Sequence, residues 1–116
     1  MKTLNGCILF LFVLILNGCG KPPDIEKVRN DFYNFGYNRL VSASKYETCK
    51  PVSEIITEIP GPDEGRRIFE ITYEMNCPDG ETVIKKTKAH YEYLISPNYG
   101  QMGWCFLGYW PLLQNE

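Results

Sequence analysis

The sequence predicts an α+β domain, an N-terminal amphipathic helix packed on a four-stranded antiparallel meander. Two observations carry that reading. Apolar residues recur at helical spacing between residues 24 and 44, and from residue 50 onward they alternate with a period of two. Turn-forming clusters at 60–65, 78–80 and 96–100 then cut the alternating part into four strands.

A leader precedes the domain. Lys2 supplies a positive charge, Ile8 to Leu16 is an unbroken apolar run, and Asn17, Gly18, Cys19 and Gly20 follow. This is the layout of a secretory signal peptide. The run is about half the roughly 20 residues that a helix needs to cross a bilayer, so it is a poor permanent anchor. Leu16-Asn17-Gly18-Cys19 resembles the bacterial lipobox, in which a Leu stands three residues before a lipidated Cys. The resemblance implies that residues 1–18 are removed, that the Cys19 thiol is lipidated and that the new amino terminus is acylated. Two or more acyl chains hold a protein firmly, at about 0.8 kcal/mol per buried methylene. Gly20, where an Asp tends to retain lipoproteins in the inner membrane, implies the outer membrane if the source is Gram-negative. The alternatives are an ordinary signal cut near Gly18 or Gly20, and an uncleaved leader.

Removing residues 1–18 from the 116 leaves 98, enough for one small domain. Losing Lys2 takes the net charge from -2 to about -3. No basic stripe remains for nucleic acid or for an anionic lipid surface. The expected organisation is a signal peptide over 1–18, a lipidated tether over 19–23 with Lys21-Pro22-Pro23 as its stiff part, and one domain over 24–116.

Within the domain, Asp24 is the expected N-cap and Glu26 favours the positive end of the helix. Ile25, Val28, Phe32, Phe35 and Leu40 form its apolar stripe, and Gly36 is expected to weaken its middle by roughly 1 kcal/mol relative to Ala. Ser42-Ala43-Ser44 ends it. Strands are expected over 52–59, 67–77, 82–95 and 102–110. In the second, Phe69, Ile71, Tyr73 and Met75 share a face; in the third, Val83, Thr87, Ala89, Tyr91 and Tyr93 do. Pro111 closes the fourth. This element order resembles the cystatin-like and NTF2-like families, in which a curved antiparallel sheet cradles a helix. The resemblance implies a concave sheet side suited to a small-molecule carrier. The alternative fold is a small β-barrel with residues 24–44 outside it.

Five cysteines are present. Cys7 leaves with the leader, Cys19 is the expected lipid site, and Cys49, Cys77 and Cys105 remain in a disulfide-permissive setting. If Ile59 lies opposite Arg67, Ile55 meets Ile71, Thr57 meets Phe69 and Cys49 meets Cys77. A Cys49–Cys77 disulfide is therefore expected, with Cys105 unpaired; a slipped register would give Cys105 one of the two partners. No cation near Cys105 lowers its thiol pKa, and His90, the single His, lies on the far face of its strand. His90 alone cannot hold zinc, which takes three or four ligands. The sequence offers no Gly-rich phosphate loop, paired catalytic carboxylates or Ser-centred elbow, so neither an enzyme nor a cofactor is expected.

Tyr73-Glu74-Met75-Asn76-Cys77-Pro78-Asp79-Gly80 resembles the Tyr-x-Cys-x-x-Gly stretch of the periplasmic C-type lysozyme inhibitors, small and often lipidated β-barrels, with one extra residue between Tyr73 and Cys77. Trp104, Phe106, Tyr109 and Trp110 exceed what one strand over a small sheet needs to bury. Trp104, Tyr109 and Trp110 are thus the candidate partner-binding residues, with Trp110 the more exposed Trp because Pro111 ends the strand. The alternative is that they fill the core. The functional expectation is a non-enzymatic envelope lipoprotein, lipid-anchored to a membrane, that binds a protein partner in an assembly, exclusion or immunity role.

Overall fold

The computed structural model describes residues 19–96 and 101–114. The leader, with its lipobox-like Leu16 to Gly18, and the tip of the turn expected at 96–100 lie outside the described residues. The chain begins with a two-residue strand β1 (Cys19–Gly20). A continuous helix α1 follows, made of an α-helical part Ile25–Asp31, a π-helical part Phe32–Gly36 and a second α-helical part Tyr37–Val41. Then come β2 (Lys50–Ile59), β3 (Arg66–Asn76), β4 (Thr82–Ser96) and β5 (Gln101–Trp110). The sheet is open and antiparallel, in the order β1-β5-β4-β3-β2. The α+β class and the meander are as expected. The helix is not the N-terminal element, because Cys19 and Gly20 pair with β5 ahead of it.

Asp24 caps α1: its carboxylate accepts the Lys27 backbone N–H at 2.8 Å. Val28, Phe32 and Leu40 from the expected stripe are fully buried, and Ile25 and Phe35 pack at its margin. The π-helical part adds one residue to a turn, with the Tyr37 N–H bonded to the Phe32 carbonyl. The stripe therefore advances by one, and Gly36, Tyr37 and Val41 also turn inward. These side chains meet Phe69, Ile71, Tyr73 and Met75 of β3, Ala89 and Tyr91 of β4 and Tyr109 of β5 in one core. Burying each aliphatic or Phe side chain there contributes roughly 1.5–3 kcal/mol. Polar links tie the layers together. The Tyr91 hydroxyl donates to Asp31 at 2.8 Å, the Tyr37 hydroxyl to the Cys49 carbonyl at 2.8 Å, and Arg29 pairs with Glu54 at 3.0 Å. After β5 the chain turns back, and Leu113, buried, donates its N–H to the Leu40 carbonyl.

The register of β2 against β3 differs from the expected one by a single residue over most of its length. Ile59 faces Ile68, Ile56 faces Ile71 and Ile55 faces Thr72. Ile56 is thus on the helix-covered face, while Ile55 points away and is 70% exposed. A bulge at Val52 absorbs the difference: Ser53 faces Glu74, but Pro51 faces Met75 and Lys50 faces Asn76. Beyond it Cys49 and Cys77 come together, joined by a disulfide with an S–S distance of 2.04 Å. The expected pair is present although the expected register holds only at its end of the hairpin. Deleting Val52 should leave Pro51 opposite Met75 and Ser53 opposite Glu74 as neighbours in an unbroken ladder. The deletion is expected to keep the Cys49–Cys77 bond and cost on the order of 1 kcal/mol. Non-reducing peptide mapping and urea melts of the deletion variant check both points.

Candidate interaction surface

Helix α1 covers one sheet face. The other carries Ile55, Thr72, Ile84, Lys86, Lys88, His90, Glu92 and Leu94 by alternation, and no described element lies over it. Ile55, Ile84, Leu94 and Trp110 are its exposed large apolar side chains.

The three candidate aromatic residues of the tail do not form one patch. Trp104 and Phe106 face Tyr93 and Tyr91 and pack partly buried against the core. Trp104 meets the Tyr93 ring edge-to-face at 5.7 Å. Tyr109 faces Ala89 and is 6% exposed, so it belongs to the core and is not a surface residue. Trp110 faces Lys88 on the uncovered face and is 71% exposed. The separation comes from a second bulge. Tyr91 faces Phe106 but His90 faces Gly108, so Leu107 is the extra residue in β5. Gly108 has φ of +150°, a conformation that side-chain-bearing residues rarely adopt. Without that shift Trp110 would share the inner face with Trp104 and Phe106. With it, Trp110 and the exposed Leu107 border a hollow of about 250 Å³ lined also by His90, Gly108 and Tyr109.

His90 is held below its ordinary pKa by burial and by the charges of Lys88 and Arg66, so it is neutral at pH 7. Arg66 also lies 3.6 Å from Glu92 on the facing strand. Burial, and then the charge of Asp31, push the Tyr109 phenol well above its usual range. Its hydroxyl is buried without a hydrogen-bond partner among the described residues. Tyr91 is raised for the same two reasons, with its hydrogen bond to Asp31 added. These phenols stay protonated at neutral pH and serve packing.

Cys105 is disulfide-bonded and nearly buried, which corrects the expectation of an unpaired thiol. Assigning Cys19 to lipid leaves three cysteines, an odd number, in the domain. Cys19 sits at a register position opposite Cys105, and Pro23 is fully buried, so residues 19–23 lie on the domain and do not stand off from it. The 73–80 stretch has structural work: Tyr73 is core, Cys77 is bonded to Cys49, and Gly80 has φ of +88° in the turn. The space between helix and sheet, where a carried ligand would lie, is occupied by Phe32, Leu40, Phe69, Ile71 and Tyr73, each at most 1% exposed. Among the described residues no cluster of three His, Cys, Asp or Glu is placed to hold a metal ion, and no helix is long and apolar enough to cross a membrane. Comparison with known proteins finds no matching family, no matching characterised protein and no matching solved structure.

Proposed function

We propose that the chain is an exported, non-enzymatic envelope protein, anchored to a membrane by lipid on Cys19, that docks a protein partner on the uncovered face of its sheet. The observation that carries the docking surface is Trp110. A bulge, with a glycine at positive φ beside it, turns this side chain out of the core on which Trp104, Phe106 and Tyr109 pack. Exposed Trp beside Leu107 and a hollow suits the aromatic anchor of a protein interface. The leader supports export and the lipid anchor. The filled helix–sheet layer favours this reading over a small-molecule carrier.

The test separates binding from folding. Trp110→Ala is expected to melt in urea within about 0.5 kcal/mol of the wild type, as surface changes do. In the same cells, crosslinking of the protein to its envelope partner should fall at least tenfold, because an aromatic anchor contributes about 2 kcal/mol or more. Trp104→Ala, which removes a partly buried side chain, should instead lower stability by about 3 kcal/mol. Unchanged crosslinking by a folded Trp110→Ala would remove the proposed surface.

A further inference from the structure

The start of β1 is fitted to the sheet. Cys19 lies directly opposite Cys105, and Gly20 opposite Trp104. The approach is close: a Cβ at Gly103 would come within 2.9 Å of the Gly20 N and O. Directly opposed residues of an antiparallel ladder have Cα atoms about 4.5 or 5.5 Å apart, within the range that a disulfide spans. Cys105 is disulfide-bonded, while Cys49 and Cys77 are taken by each other. The ladder therefore offers Cys19 as the partner of Cys105. That pairing would place the four cysteines from residue 19 onward in two pairs.

The same Cys19 sulfur is the lipid acceptor in the function proposed above, and one sulfur carries only one of the two bonds. We infer that Cys105 competes with lipidation for Cys19, so that the protein has two covalent forms: an anchored form with a Cys105 thiol, and an unanchored form closed by a Cys19–Cys105 disulfide. In the first, the Cys19 sulfur loses its proton and bonds to a glyceryl carbon, displacing the phosphate-linked headgroup of a phospholipid. In the second, two thiols lose two protons and two electrons to a thiol–disulfide oxidant of the exported compartment, and an S–S bond forms. The anchored form rests on the lipoprotein reading; the disulfide does not.

The experiment uses the full chain with its own leader in an exporting bacterium, quenched in denaturant with a thiol-alkylating agent. Membrane and soluble fractions are then mapped by mass without reductant. Non-acylated molecules are expected to yield a peptide joining Cys19 to Cys105, and acylated molecules an alkylated Cys105. Gly18→Asp leaves the apolar run of residues 8–16 intact, alters only the lipobox-like stretch and is expected to supply exported, non-acylated chain. Gly103→Val, which blocks the approach of Gly20, should reduce the joined peptide at least tenfold and spare Cys49–Cys77. Non-acylated chain carrying alkylated Cys19 and Cys105 would overturn the inference while leaving the anchor intact. Joined peptide in every wild-type fraction, with no acyl mass, would support the disulfide and overturn the anchor and with it the competition. An undiminished joined peptide in Gly103→Val would overturn the strand pairing as its cause.

Discussion

Cys49→Ser and Cys77→Ser should each lower the stability of the protein by about 3–4 kcal/mol, and the double variant should lower it by no more than either. The two cysteines are 28 residues apart in sequence. On the chain-entropy account, releasing a loop of that size from the denatured ensemble costs about 3.6 kcal/mol. A domain of this size has a total stability of only about 5–15 kcal/mol, so the loss is a large fraction of it. The bond sits where the end of the helix, the start of β2 and the end of β3 converge. Next to it the Tyr37 hydroxyl holds the Cys49 carbonyl, and that hydrogen bond survives the substitution. The variants should therefore fold at low temperature and melt early. Urea melts of the two single variants and the double variant decide the point. A double variant losing 6–8 kcal/mol would mean that each cysteine contributes through its own packing and not through the shared bond.

The elements were legible in the sequence because each rests on local pattern. The Asp24 cap, the helical stripe, the alternation of 69–75 and the Pro78-Asp79-Gly80 turn all reappear in the structure. What escaped is what an extra residue does to a face. A period-two pattern assigns every even residue of 104–110 to one side, but Leu107 is unpaired and Trp110 emerges on the other. The one signal was Gly108, since an isolated glycine inside a strand pattern marks a bulge. In β2 the run Val52-Ser53-Glu54-Ile55-Ile56 carries two adjacent isoleucines, either of which could face the core. Alternation cannot choose between them, and a slip of one residue exchanges their faces. Glu54 then lies on the covered side, paired with Arg29 of the helix, where the pattern alone put a solvent charge. The cysteine pair was found because the bulge restores the expected register just before Cys49. The pairing of Cys19–Gly20 with β5 was hidden because two residues after an apolar leader carry no strand signal of their own.

Gly36 reverses a sign that helix propensity alone would give. In an ordinary helix interior Gly36→Ala gains about 1 kcal/mol. Here a Cβ at position 36 would overlap the Tyr109 ring, meeting the hydroxyl oxygen first, with the ring carbons Cζ at 2.6 Å and Cε2 at 2.9 Å. Both partners are buried in the layer between α1 and β5, with Phe106 packed against the Tyr109 ring and Tyr91 against Phe106. Neither backbone can withdraw without opening the core. Overpacking of this kind costs 1–3 kcal/mol or more, so Gly36→Ala should destabilise the protein by roughly 2 kcal/mol net. Tyr109→Phe removes the atom that the new methyl group meets first. It also removes a buried hydroxyl that has no hydrogen-bond partner among the described residues, a group whose desolvation costs about 1–3 kcal/mol. Tyr109→Phe alone should therefore be neutral or stabilising. In the Tyr109→Phe background, the loss caused by Gly36→Ala should shrink by about 1 kcal/mol, the coupling expected of residues in direct contact. Urea melts of the four proteins of this cycle measure it. A Gly36→Ala variant more stable than wild type in both backgrounds would mean that the helix tolerates a side chain at 36, and that its close approach to β5 is not what requires the glycine.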